Sequence, residues 1–276
     1  MNALVNTGRV APNAQPFMPT SRLIGAYLTE AKFEFLGMLR TMAFAVPFLV
    51  LPLAIYLLFG IVMAADAVAK DPSVSNLLFC GFSVFAVTGP ALFGIGCSIA
   101  IERDAGLMKL RRALPAPAGA YIVAKMAMAM LFAAMVFGTL LIPGLLLGKL
   151  TFSAAQLVGI GSALVLGALP FCAMGMFIGA YVSGAAAPAL TNLVYLPMLW
   201  LGGLFIPLPR FLQTQVLIWP SFHLDQIVLA IGGVTKYKFV PTSLSVGVLA
   251  AVTVLFGGLA LRRLARESGC VHGSAL

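Results

Sequence analysis

The side chains of this chain with most capacity for chemistry are crowded into one run, 101–121, which reads IERDAGLMKLRRALPAPAGAY. Glu102, Arg103, Asp104, Lys109, Arg111 and Arg112 sit together there, between long apolar segments. Carboxylates can move protons, and guanidinium groups can grip anions in bidentate fashion. Acid–base catalysis by Glu102 and Asp104 would need further polar residues converging on the same face, and none is evident. Charge at a bilayer centre is costly, so the cluster must lie in water or against a polar partner. From 105 to 114 the spacing is that of a short helix, with Leu107, Leu110 and Leu114 along one side and Lys109 and Arg112 on another. Pro115 and Pro117 end it. Two readings stay open: a helix built to touch a partner, or the ordinary basic loop of a multi-span protein's cytoplasmic side.

Other candidate chemistry falls away. The run GLLLGKL at 144–150 resembles a phosphate-binding loop, but its first glycine is one residue too close and Leu150 stands where a magnesium-binding hydroxyl belongs. His223 and Asp225 diverge on a helix at i, i+2 and have no evident third ligand, so no metal site is expected. Cys80, Cys97, Cys172 and Cys270 lack CxxC spacing and read as small packing residues. Asp66, Asp71 and Asp104 form no justifiable carboxylate pair. The apolar segments hold no convincing acidic residue, which counts against a proton relay or an ion-coupled transporter.

The elements that must position the charged run are apolar. The chain has 276 residues, 61% hydrophobic and 9% charged, with a mean hydropathy of +1.05. That composition predicts an all-α integral membrane protein. The net charge of +9 does not point to nucleic acid, because the basic residues lie between apolar segments and are not interleaved with aromatics.

Residues 1–20 read as a flexible tail with no cleavable signal pattern. Ser21 caps a helix to about 40, with Ile24, Tyr27, Leu28, Ala31, Phe35, Met38 and Leu39 on one face. It reads either as an interfacial amphipathic helix or as a plain juxtamembrane one. Six segments then approach the roughly 20 residues a crossing needs, at about 42–63, 77–101, 120–147, 156–182, 189–205 and 243–261. Residues 21–261 are thus expected to form one six-span domain, followed by a tail at 262–276. With both termini on one side, only Lys70, Lys149, Arg210, Lys236 and Lys238 of the 17 basic residues fall opposite them, which places both termini in the cytoplasm. Gly175 and Gly179 form a GxxxG pair suited to close helix packing, and self-association through it is the alternative. Two apolar pieces at 206–233 are too short to cross, so they suggest re-entrant helices or a folded outer loop covering the spans.

At this point a resemblance emerges. ERDAGLMKLRRALPAPAGAYIVAK is similar to the loop after the second span in the type-2 ABC transporter permease family. Asn192, Pro197, Gly202, Gly203, Phe205, Pro207 and Pro209, followed by Pro220 and His223, resemble that family's second signature. The resemblance implies half of an exporter, with two six-span subunits side by side, homodimeric or heterodimeric, each docked to a cytoplasmic ATPase. It implies that this chain is not itself an enzyme and binds no cofactor directly, ATP and Mg residing on a separate partner subunit. Glu102, Arg103, Asp104, Gly106, Leu107, Lys109, Leu110, Arg111 and Arg112 would form a coupling helix in the ATPase groove, and 21–40 the interfacial connecting helix. The second and fifth spans would line the pathway, pointing to Phe93, Asn192, Tyr195 and Met198, although Asn192 also reads as a hydrogen bond between helices.

The partners implied are therefore the ATPase, a second permease subunit and membrane lipids, with no nucleic acid, in a multi-pass protein of the cell membrane or inner membrane. An apolar pathway suits a hydrophobic or amphiphilic cargo such as a drug-like metabolite or lipid. No aromatic stripe able to stack sugars is obvious, so a lipid-linked glycan is the alternative, beside an ATP-independent secondary transporter or channel.

Overall fold

The computed structural model describes residues 20–108, 110, 119–205 and 214–269, and among these every regular element is helical. Helix α1 (Thr20–Arg40) is divided from α2 (Met42–Ile55) by Thr41 alone. Thr41 leaves helical dihedrals at ψ 88°. Its hydroxyl donates to the Gly37 carbonyl at 2.9 Å, so the end of α1 keeps a partner where the ladder breaks. Pro47 and Pro52 lie inside α2. Proline has no N–H to give and crowds the carbonyl four residues back. Directly after Pro52 the helix widens into a π turn over Tyr56–Val62.

A short α3 (Ala65–Lys70) leads to α4 (Ser73–Asp104), which runs down the middle of the bundle. Around it pack α2, α5 (Ala120–Leu146), α6 (Ala154–Tyr181), α7 (Ala187–Leu201) and α8 (Pro220–Ile231), while α9 (Thr242–Gly269) lies against α6 and α8. Phe79, Leu92, Ile95, Ile99, Phe132 and Phe171 are fully buried in the resulting core. The start of α6 is fixed by a capping box: Ser153 Oγ accepts from the Gln156 N–H at 3.3 Å, and Gln156 Oε1 accepts from the Ser153 N–H at 2.8 Å.

The GxxxG pair has a use within the chain. Gly175 and Gly179 on α6 face Gly96 on α4, and a Cβ at Gly179 would meet the Gly96 carbonyl at 2.7 Å. Two backbones in van der Waals contact is what small residues at this spacing permit. The close packing expected of these glycines is therefore made with α4.

Among the described residues five helical stretches are long and apolar enough to cross a membrane: Met42–Val62, Ser73–Asp104, Ala120–Leu146, Ala154–Tyr181 and Thr242–Arg266. The segment expected as a fifth of six crossings is instead the 15-residue apolar helix α7. At 1.5 Å per residue it reaches about 22 Å, short of a hydrocarbon core of about 30 Å. Of the two apolar pieces beyond it, the first, 206–220, lies outside the described residues up to 213 and then forms a single 3-10 turn over Gln215–Ile218. The second is α8, 12 residues long, with Pro220 to Gln226 buried throughout.

Candidate functional site

The charged run lies at the end of α4, and its first members turn inward. Glu102, Arg103 and Asp104 form the last turn of α4. Glu102 Oε1 is 2.6 Å from Lys125 Nζ on α5, and Glu102 Oε2 accepts from the Tyr121 hydroxyl at 2.9 Å. Lys125 Nζ also reaches Glu34 Oε2 on α1 at 2.8 Å, and lies 5.2 Å from the centre of the Tyr121 ring. The Lys125 side chain is 1% exposed, with Glu34 at 12% and Glu102 at 17%. One buried ammonium thus joins α1, α4 and α5. Such an arrangement holds only while every member is present, since removing one partner strands a buried charge.

Arg103 and Asp104 fasten a fourth helix. Arg103 donates to the carbonyls of Gly179, at 2.9 Å, and Val182, at 2.8 Å. A guanidinium there meets the unsatisfied carbonyls and the negative dipole end of α6. Asp104 Oδ2 accepts from the Gly184 N–H at 2.6 Å, in the link between α6 and α7.

Beyond Asp104 the helix stops at Ala105–Gly106, where Gly106 has φ +73°, a left-handed conformation that glycine adopts without steric cost. Leu107, Met108 and Leu110 are helical again, with Leu107 42% and Leu110 63% exposed. Of the short helix expected over 105–114, Ala105 and Gly106 form a turn and 107, 108 and 110 are helical, while Glu102, Arg103 and Asp104 belong to α4. Lys109, Arg111 and Arg112, with the remainder of that helix to 114, lie outside the described residues. Beside the ion cluster a cleft of about 510 Å³ is lined by Glu30, Glu34, Thr41, Ser98, Glu102 and Lys125.

A second feature lies among α2, α4 and α7. A cavity of about 760 Å³ is walled by Phe48, Phe59, Phe82, Phe85, Trp200 and Phe205, together with Phe93, Asn192 and Tyr195. Three of the four expected pathway residues therefore share one space. Met198, the fourth, is fully buried and does not line it. The Tyr195 hydroxyl donates to the Phe85 carbonyl at 3.2 Å, and its ring meets Phe93 edge-on at 5.4 Å. The cavity size suits a small molecule, and its lining is almost wholly apolar. The absence of an aromatic stripe along the sequence is corrected here: the aromatics come from α2, the π turn after it, α4, α7 and the turn beyond α7, and converge only in the fold.

Residues 26–239 match the family described as ABC-2 type transporter, a span that takes in most of α1, the charged turn and the cavity. The chain belongs to the ABC-2 type transporter family. It is also 25% identical, over 193 residues covering 69% of this chain and 78% of the relative, to a Bacillus subtilis (strain 168) protein described as "Putative transport permease YvfS". This ABC-2 chain is accordingly a transmembrane transporter subunit with several apolar membrane helices. The family implies an ATP-binding cassette ATPase as its general partner.

Two residues of the ABC-2 chain's ion cluster were not singled out from sequence. Glu34 sits at i+3 from Ala31 and one turn before Met38, within the stripe that faces α5, so the helical pattern itself marks it as inward. Lys125 lies five residues inside α5, in a first turn and a half where Ala120 and Ala124 are also buried.

Proposed function

We propose that this chain is the permease subunit of an ABC exporter, coupled to a separately encoded ATPase through the turn that follows α4. The observation that carries the reading is the Glu34–Lys125–Glu102 cluster, which joins α1, α4 and α5 immediately before exposed Leu107 and Leu110. A push on those leucines by a partner would reach three helices at once through buried ion pairs, and a fourth through Arg103 and Asp104. ATP and Mg would reside on the partner, both termini of the chain would face the cytoplasm, and a second permease subunit would complete the pathway.

The aromatic cavity supports a hydrophobic, uncharged or amphiphilic cargo, because among the described residues no charged side chain lines it and the Tyr195 hydroxyl is already engaged. Its aromatic faces also favour a second reading, a lipid-linked glycan, in which the rings would stack against sugar. The cavity offers little hydrogen bonding to the hydroxyls of such a cargo, so the apolar reading is preferred.

The test is transport by the chain reconstituted in liposomes with its candidate ATPase. ATP should drive a hydrophobic fluorescent dye across the membrane, away from the face that carries the ATPase. ATP-independent movement at the same rate would overturn the reading.

A further inference from the structure

The polar side chains of α8 are unequally provided for. Ser221 Oγ donates to the Met198 carbonyl at 2.8 Å. His223 Nε2 lies 2.9 Å from the Leu217 carbonyl oxygen, which can only accept, so Nε2 carries a proton and Nδ1 faces Ser245 Oγ at 3.3 Å. Gln226 Oε1 accepts from the Phe239 N–H at 2.7 Å, and its amide donates to the Tyr237 carbonyl at 3.4 Å. Asp225 stands apart. It is 5% exposed, and its Oδ1 is buried with no hydrogen-bond partner. Among the described residues no ion pair reaches it.

The helix that carries Asp225 is closely seated. Leu224 packs over Gly167 on α6, and Leu224, Val228 and Leu229 are each no more than 1% exposed. The surroundings supply no countercharge. The titratable side chain of α4 nearest this end is Cys80, a neutral thiol, and one turn along the same helix Ser83 is likewise buried without a partner. The titratable side chains of α6 are Cys172 and Tyr181, that of α7 is Tyr195, and α9 has none before Arg262. On α8 itself His223 is engaged as described. The turn after it carries Lys236, Tyr237 and Lys238, and Lys236 is held by Asp71 at 2.7 Å.

An unpaired carboxylate removed from water is far more costly than the neutral acid. We propose that Asp225 is a proton-binding site, and that the bound proton seats α8 against α4, α6 and α9. Loss of that proton to bulk water leaves an unpaired charge and loosens the seat. Burial alone, with α8 lying outside the five long helices, pushes this carboxyl up to about 8. The site lies towards the Ser73 end of α4, remote from Glu102, so it answers to pH at the opposite end of the bundle.

The sign follows from linkage. A carboxyl whose folded value is raised binds its proton more tightly in the folded than in the unfolded state, so stability falls as pH rises from the ordinary value of about 4 up to about 8. Across that window the folding equilibrium constant drops about tenfold per pH unit. The experiment uses the full chain in lipid nanodiscs, native and as Asp225→Asn or Asp225→Ser. Two readouts are taken: the infrared carbonyl stretch of a protonated carboxylic acid near neutral pH, and the unfolding midpoint from about pH 5 to pH 9. The native chain should show the stretch and a midpoint that falls with pH, and both features should be lost in either variant. A native chain without the stretch at neutral pH, or variants that keep the same falling profile, would overturn the proposal. Should neither variant accumulate, the native spectrum decides: the stretch must be present at neutral pH and vanish on alkalisation.

Discussion

Lys125 Nζ on α5 stands 2.6 Å from Glu102 Oε1 on α4, with the lysine fully inside the protein. The same nitrogen holds Glu34 at 2.8 Å, so α1 is tied to both of the other helices by one side chain. Replacing Lys125 with Met keeps the volume and strands two carboxylates. Losing one partner of a buried ion pair costs about 3–5 kcal/mol. The expected outcome is a large fall in the unfolding midpoint for Lys125→Met. Adding Glu34→Gln and Glu102→Gln to it should recover much of the loss, because no buried charge is then left over. Thermal unfolding of the three forms in detergent measures this directly.

The contact of α4 with α6 yields a paired expectation. A Cβ at Gly179 would meet the Gly96 carbonyl at 2.7 Å, whereas one at Gly138 on α5 would meet nothing within 4 Å. Gly179→Ala should destabilise by about 1–3 kcal/mol through overpacking. Gly138→Ala should be neutral or stabilise by up to about 1 kcal/mol, as alanine does in a helix interior. Equal effects in the two variants would mean that α4 and α6 are not in backbone contact.

How much of this was legible in sequence differs from element to element. The long helices were, because apolar runs such as 120–147 and 156–182 have a length that only a crossing requires. The glycines at 175 and 179 announced a close approach but not their partner, since Gly96 is brought opposite them only by the fold. Neither Glu34 nor Lys125 stands out in the sequence, because burial of a charge depends on a countercharge, and Lys125 lies 91 residues from Glu34 and 23 from Glu102 along the chain. Asp225 was weighed only as a metal ligand beside His223, and the side chains do go separate ways, but its burial comes from α4 and α6. The aromatic cavity was not visible as a pattern, since Phe48, Phe93 and Tyr195 belong to three different helices.

At the opposite end of α4 an exposed clasp should be sensitive to acid. Asp71 Oδ2 is 2.7 Å from Lys236 Nζ, and Asp71 Oδ1 accepts from the Ser73 hydroxyl at 2.6 Å. Those hydrogen bonds, from Lys236 first and then from Ser73, pull the Asp71 carboxyl down to about 2. A depressed folded value contributes stability that is complete above the ordinary carboxylate range and lost as pH falls towards about 2. The pair is exposed, so the effect should be small and should shrink further in high salt. Comparing the acid limb of unfolding in the native chain and in Asp71→Asn, at low and high salt, checks both points.

In the cavity, Phe93 and Asn192 face the space, whereas Met198 is packed away from it. Phe93→Ala should therefore weaken a hydrophobic cargo by about tenfold or more, the scale expected when apolar contact is removed from a pocket. Met198→Leu should leave cargo affinity unchanged. The KM for cargo-stimulated ATP hydrolysis in the reconstituted complex distinguishes the two.

The central claim is that the turn after α4 receives an ATPase, and co-purification tests it most directly. Leu107 and Leu110 are 42% and 63% exposed, so the double change Leu107→Asp, Leu110→Asp should leave the fold and its unfolding midpoint intact. The native chain should retain the ATPase through purification, and the double variant should lose it. A native chain that retains no ATPase, or a double variant that retains as much as the native chain, would contradict the claim.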